Sequence, residues 1–173
     1  METAKTVGRA MNPYLRGGWL VQESLPTQWH ILVAAILLNQ SRRTIAWDHA
    51  LGELFARWPD ARALADSDSS LEELLRPFGF MNVKAKRLRG MSLGYLTWDR
   101  EAPDADPRVL YGCGQYAYDS WRIFARGHRP DSVSDGPLSL YLARWHTGWR
   151  EGDPIPQGFI VDEKSSLSGR SRL

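Results

Sequence analysis

Cysteine is nearly missing from this chain: Cys113 is the single one in 173 residues. That count excludes an internal disulfide and any all-cysteine metal site, and it fits a reducing, intracellular compartment. The four histidines, His30, His49, His128 and His146, have neither HxxxH nor HExxH spacing, so no metal is expected. Net charge is almost absent as well, at +2, and no global basic field announces a polyanion. The longest apolar run, Ile31 to Leu38, is eight residues, far short of the ~20 that span a bilayer, so no membrane partner is expected. The opening METAKTVGRAMNPYLRGG lacks the apolar centre of a secretory signal. No repeat is visible, and no stretch alternates polar and apolar residues as a strand does.

What is present points to one helical domain. A hydrophobic fraction of 43% is ordinary for a globular chain of this length. Eight tryptophans are many, enough to build a core and to leave some for binding faces. Trp29–Leu38 is apolar almost throughout and reads as a buried helix. Thr44–Trp58 places Ile45, Trp47, Leu51, Leu54 and Phe55 three and four apart, and Pro59 stops it. Ala61–Ala65 is a short helix, and Ser69 or Ser70 is a candidate cap for Leu71–Leu75. Val83–Leu96 is amphipathic with Lys84, Lys86, Arg87 and Arg89 at its start, a candidate phosphate-binding face, with a solvated helix face as the alternative. A short helix after Pro107, a longer one over Gln115–Phe124 and a last one over Pro137–Trp145 complete an all-α domain. Residues 1–12 are expected to be flexible, 13–161 to form the domain and 162–173 to be a disordered tail.

The run VLYGCGQYAYDSWRIF, Val109 to Phe124, sets Gly112 and Gly114 just before a helix. A helix, a Gly-x-Gly turn and a second helix make a helix-hairpin-helix. Its turn offers backbone N–H groups at a positive helix end, a fit for a DNA phosphate, and glycine lets that anion approach. A packing turn between helices is the competing reading. Cys113 between them reads as a small apolar filler, not a nucleophile.

Five stretches stand in a specific order: LVQESL, ILLNQ, LLRPFGFMNVKAKRL, LYGCGQYAYDSWRIF and the Asp135 region SVSDGPLSLY. In that order and spacing they resemble the helix-hairpin-helix DNA glycosylases, and more closely the glycosylase domain of the methyl-CpG-binding thymine/uracil mismatch branch. The resemblance covers about Leu20 to Trp149. It implies an all-α helix-hairpin-helix fold around a DNA-binding cleft and excision of a flipped base from double-stranded DNA by a monomer found with DNA.

The resemblance carries roles over residue by residue. Asp135 stands where the family keeps its catalytic aspartate, whose carboxylate stabilises the charge that builds on the sugar or orients water. A helix N-cap is the competing role, and Asp135 suits both. Tyr116 stands where strand-cutting relatives carry a Schiff-base lysine, which implies a monofunctional enzyme. A core position is the alternative for Tyr116. Gln22 matches a glutamine that reads the flipped base, against a solvent-facing alternative. Gln40 matches a residue placed near the orphaned partner base, and Phe80 an apolar wedge that Phe78 assists or, alternatively, supports from the core. Gly112, Gly114 and Gln115 fall in the backbone-gripping hairpin, and Lys84 and Lys86 on the phosphate-facing helix.

The resemblance implies no cofactor beyond a structural monovalent cation at the hairpin when DNA is bound. One cysteine excludes the iron–sulfur cluster that many relatives carry. Gly136-Pro137 replaces the basic or histidine residue that often follows the aspartate. The expected substrate is uracil or thymine opposite guanine. Action on modified or hypermodified pyrimidines, as in phage DNA, and a non-catalytic DNA-binding module stay open as alternatives.

Overall fold

The computed structural model describes residues 20–41 and 43–148. The expected flexible start (1–12), the expected tail (162–173) and the outer ends of the 13–161 domain lie outside the described residues. Seven α-helices make up the described fold: α1 (Gln28–Leu38), α2 (Ile45–Arg57), α3 (Ala61–Ala65), α4 (Ser70–Leu74), α5 (Met81–Tyr95), α6 (Gln115–Phe124) and α7 (Gly136–Thr147). Three 3-10 turns join them, Val21–Ser24, Arg76–Phe78 and Pro107–Val109, and no strand occurs among the described residues.

Helix α1 is central because it is apolar all round. Trp29 through Leu37 are all buried, as such a helix must be. It packs against α6 and α5, and α5 packs in turn against α3 and α4. Thr27, Thr44 and Asp60 start α1, α2 and α3 by accepting the N–H of His30, Trp47 and Ala63, each worth about 1 kcal/mol. For α4 the expected serine cap is replaced. Ser69 makes no capping bond, and Asp68 accepts the Ser70 N–H (3.0 Å) and hydroxyl (2.5 Å) instead.

The tryptophans divide between core and surface. Trp29, Trp47 and Trp121 are buried, whereas Trp145 is exposed. Trp29 Nε1 donates to Ser92 (3.0 Å) and Trp121 Nε1 to Gln28 (2.8 Å), which ties α1 to α5 and α6. Trp47 meets Phe78 edge-on at 5.1 Å between centroids. A smaller cluster of Ile123, Leu138, Tyr141 and Leu142 seats α7 on the end of α6. That contact fixes Asp135, at the N-terminus of α7, relative to the hairpin.

The short helix expected before the glycine turn is a 3-10 turn, Pro107–Val109. Asp106 holds it by accepting the Arg108 N–H (2.9 Å). The turn that follows lies close on α5. A Cβ at Gly90 would come within 2.7 Å of the Tyr111 ring, and one at Gly112 within 2.7 Å of the Arg87 stem. Gly112 also has φ +81°, which disfavours any side chain there. Gly114 is different: its φ is −114° and a Cβ would meet nothing within 4 Å. The first glycine is required by packing and backbone, while the second leaves open space at the start of α6.

Candidate functional site

A cleft of about 370 Å³ opens at the C-terminal end of α1. Its walls come from four separate parts of the chain: Leu20–Gln22, Leu38–Ser41 with Arg43, Tyr116 on α6, and Asp135 with Pro137 at the start of α7. Four of the residues singled out from sequence, Gln22, Gln40, Tyr116 and Asp135, line it together. A larger concavity of about 730 Å³ lies at the opposite end of α1, about 16 Å away along an 11-residue helix. None of the expected site residues lines it; its His30 imidazole is pushed down to about 4 by burial.

Gln22 is buried, at 2% exposure, so the solvent-facing alternative falls. Its Nε2 donates to the Tyr116 hydroxyl (2.8 Å) and, at 3.4 Å, to Ser120 Oγ. Its Oε1 is buried with no partner. An unmet buried acceptor costs about 1–3 kcal/mol, and this one belongs to a cleft wall. Because the Tyr116 oxygen accepts from Gln22, its own O–H is left to donate elsewhere. Burial, then the charge of Asp135, pushes the phenol up to about 12, so it stays protonated. Tyr116 also packs beside both apolar clusters, so its ring is structural while its hydroxyl faces the cleft partners.

Asp135 caps α7 and lines the cleft at once. Its Oδ1 accepts the Leu138 N–H at 2.9 Å. Its carboxyl is half-buried and is raised above the usual carboxylate range, first by burial and then by the charge of Asp119. A partly desolvated carboxylate interacts more strongly with a nearby positive charge than one in water does. The cleft lining carries one cation among the described residues, Arg43, whose Nε is paired with Asp48 Oδ1 at 2.7 Å.

Gln40 belongs to the cleft wall, whereas Phe80 lines a separate shallow concavity with Arg76, Gly79, Met81, Asn82 and Val83. Gln40 and Phe80 are the only non-glycine residues with positive φ among the described ones, at 57° and 49°, a conformation costing on the order of 1–2 kcal/mol. Gln40 and Phe80 are both exposed, Phe80 at 65%. Phe78 is not: at 1% exposure, against Trp47, it is core, and the expectation that it assists a wedge is overturned by that burial. Lys84 is also corrected. It is 2% exposed and its ammonium donates to the carbonyls of Leu37 (2.8 Å) and Phe78 (2.5 Å), so it cannot reach a phosphate. Arg89 is likewise engaged, with Glu72 at 2.6 Å and with the Ser67 and Asp68 carbonyls. Lys86 is exposed, and the stem of Arg87 lies against Gly112.

At the hairpin, α6 starts at Gly114 with no side-chain cap. The exposed side chain of Gln115 is engaged within the protein, accepting from Arg108 (3.1 Å) and donating to Asp119 (3.1 Å). Asp119, buried, also pairs with Arg122 at 2.7 Å. Cys113 is half-buried and its thiol is pushed up to about 12 by burial, which makes it unreactive. Sequence reasoning missed Ser120, Asp119 and Arg43. Ser120 and Asp119 stand four and three residues beyond Tyr116, so helical spacing alone could have placed them beside it. For Arg43, in a loop, no such signal exists. Among the described residues no three His, Cys, Asp or Glu side chains converge on one point, and no helix is long and apolar enough to cross a membrane.

No family model matches the chain. It is 28% identical over 103 residues to the methyl-CpG-binding domain protein 4-like protein of Arabidopsis thaliana, a match covering 58% of this chain and 22% of that protein. The chain thus matches about a fifth of that relative's length, and what the two share is similarity over part of each sequence.

Proposed function

We propose that the chain is a monofunctional DNA glycosylase with a helix-hairpin-helix fold, which hydrolyses the N-glycosidic bond of a flipped pyrimidine, uracil or thymine opposite guanine. One observation carries the reading: three distant segments bring an orphaned glutamine oxygen, a tyrosine hydroxyl and a desolvated carboxylate into one cleft. Gln22 Oε1 accepts the N3–H of a uracil or thymine edge, which satisfies the acceptor left unmet in the free protein. The Tyr116 hydroxyl donates to a base or sugar oxygen. The similarity to a protein named for methyl-CpG binding adds a link to DNA.

In the chemical step the bond from C1′ to the base nitrogen breaks and its electron pair leaves with the base. Positive charge grows on the sugar, where the Asp135 carboxylate stabilises it and orients the water that adds to C1′; the proton that water gives up ends on the departed base, so the products are the free base and a neutral abasic sugar. No lysine lies between Gly112 and Asp135, so no Schiff base forms and an intact strand with an abasic site results. The turn Tyr111–Gly114 carries no carboxylate. A cation at the hairpin would rest on neutral backbone carbonyls, and no step depends on it.

The test is a panel of duplexes with uracil, thymine or a modified pyrimidine opposite guanine. Release of uracil or thymine supports the proposal. Release of the modified base alone makes that base the substrate, and binding without release makes the chain a DNA-binding module. Asp135→Asn should lower the rate by more than ~10²-fold while keeping lesion binding. Strands should break only after alkali, and an adduct trapped by borohydride would refute the monofunctional mechanism.

A further inference from the structure

The ammonium of Lys84 joins two turns that are far apart in sequence. It donates to the Leu37 carbonyl at the end of α1 and to the Phe78 carbonyl in the turn before α5. Three residues beyond Leu37 stands Gln40, and two beyond Phe78 stands Phe80, the two non-glycine residues with left-handed φ among the described ones. The backbone N–H of Lys84 also takes the Phe80 carbonyl at 2.9 Å, and Ser41 Oγ shares the Leu37 carbonyl. Both strained residues are exposed, so their own side-chain packing does not hold them. Strain of this kind persists only where the surroundings over-determine it. The lysine sits in the core with its charge spent on two carbonyls, although an apolar side chain of the same length would be easier to bury.

We infer that Lys84 is a positioning residue, a buried cationic clamp that holds the Asn39–Gln40 turn, in the cleft wall, and the Gly79–Phe80 turn at a fixed separation and keeps Gln40 and Phe80 in their left-handed conformations. The clamp stands on the free protein alone. Its consequence for base excision rests on the proposed function: Gln40 and Phe80 are set in place before DNA arrives, and flipping does not have to order them.

The experiment uses Lys84→Met in the full chain, a change that keeps the length and removes the donors. Hydrogen exchange is compared residue by residue with the parent. The clamp predicts at least ~10-fold faster exchange at amides 39–41 and 79–84, with α6 and α7 unchanged. Exchange that is unchanged, or faster everywhere, overturns it. In a second arm, single-turnover release of uracil is compared opposite guanine and opposite an abasic site. Positioning predicts a loss of about tenfold or more opposite guanine and little change opposite the gap. An equal loss on both makes Lys84 a general structural residue and overturns the positioning role. If the parent releases no uracil from either duplex, the glycosylase reading fails for that base and the exchange arm alone decides the clamp. Lys84→Gln, which retains amide donors, is the second variant if the first does not fold. Unfolding of both makes the lysine a folding requirement and overturns the proposal.

Discussion

Phe78 and Phe80 share one tetrapeptide, Pro77-Phe78-Gly79-Phe80, and have opposite fates: 1% and 65% exposed. Sequence treats them alike because both are large and apolar. What separates them is backbone, since Gly79 and Phe80 both take positive φ and turn the second ring outward. Phe78→Ala should therefore cost about 3–5 kcal/mol of stability in a melting experiment. Phe80→Ala should leave the melting temperature nearly unchanged while slowing excision opposite guanine by the equivalent of about 1–3 kcal/mol, the scale of lost base stacking. If Phe80→Ala slows a gap-facing lesion equally, the ring is no wedge. Asp135 yields a pH prediction. Its carboxyl is raised, chiefly by burial and then by Asp119, and the mechanism needs the ionised form. Activity should therefore fall as pH drops through a value above the ordinary 3.8 for aspartate. Asp119→Asn removes a like charge and should move that acid limb to lower pH. A pH–rate profile unmoved by the change would exclude Asp119 from tuning the carboxylate.

At the scale of elements, most of the helical order was legible. The period of apolar residues and the breaks at Pro59, Pro77 and Gly79 located every described α-helix, with Ala61–Ala65 and Gln115–Phe124 at the expected bounds. What was not legible depended on neighbours. The 3-10 turn Val21–Ser24 has no periodicity to read, and it is held by Leu20 and Glu23 bonding to each other. The basic face of α5 looked uniform, yet folding buries Lys84, pairs Arg89 with Glu72 and leaves Lys86 outside. The two hairpin glycines, identical in sequence, are separated by their surroundings. Gly112→Ala should destabilise the fold by about 1–2 kcal/mol, since it meets both a positive φ and the Arg87 stem. Gly114→Ala meets neither and should change stability by no more than about 0.5 kcal/mol. If Gly114 leaves room for a phosphate, that same variant should weaken duplex binding several-fold. Denaturant melts and binding isotherms on the two variants decide this, and a Gly114→Ala protein with parental affinity would make its open space incidental.

Across the whole molecule, buried ionisable groups set opposing trends with alkaline pH. Burial raises Cys113 from its ordinary 9.0 and Tyr116 from 10.0, each to about 12. The folded chain therefore keeps these protons where the unfolded chain releases them. Their contribution is complete below pH 9 and is lost as pH rises from there toward 12. Lys84 works in the other direction. Burial, aided by Arg87, lowers it from 10.5 to about 8, so between those values the unfolded chain binds more protons and stability rises with pH. The desolvated ammonium weighs most against folding below pH 8, where it is fully charged, and that burden lifts as it loses its proton. Lys84→Met removes the rising component and leaves the falling ones. The melting temperature of the parent relative to Lys84→Met should therefore become more favourable from pH 7.5 to 10, and the variant should show the steeper alkaline decline. Parallel melting curves across that range would place Lys84 outside the buried, titrating groups, and its bonds to Leu37 and Phe78 would then need another account.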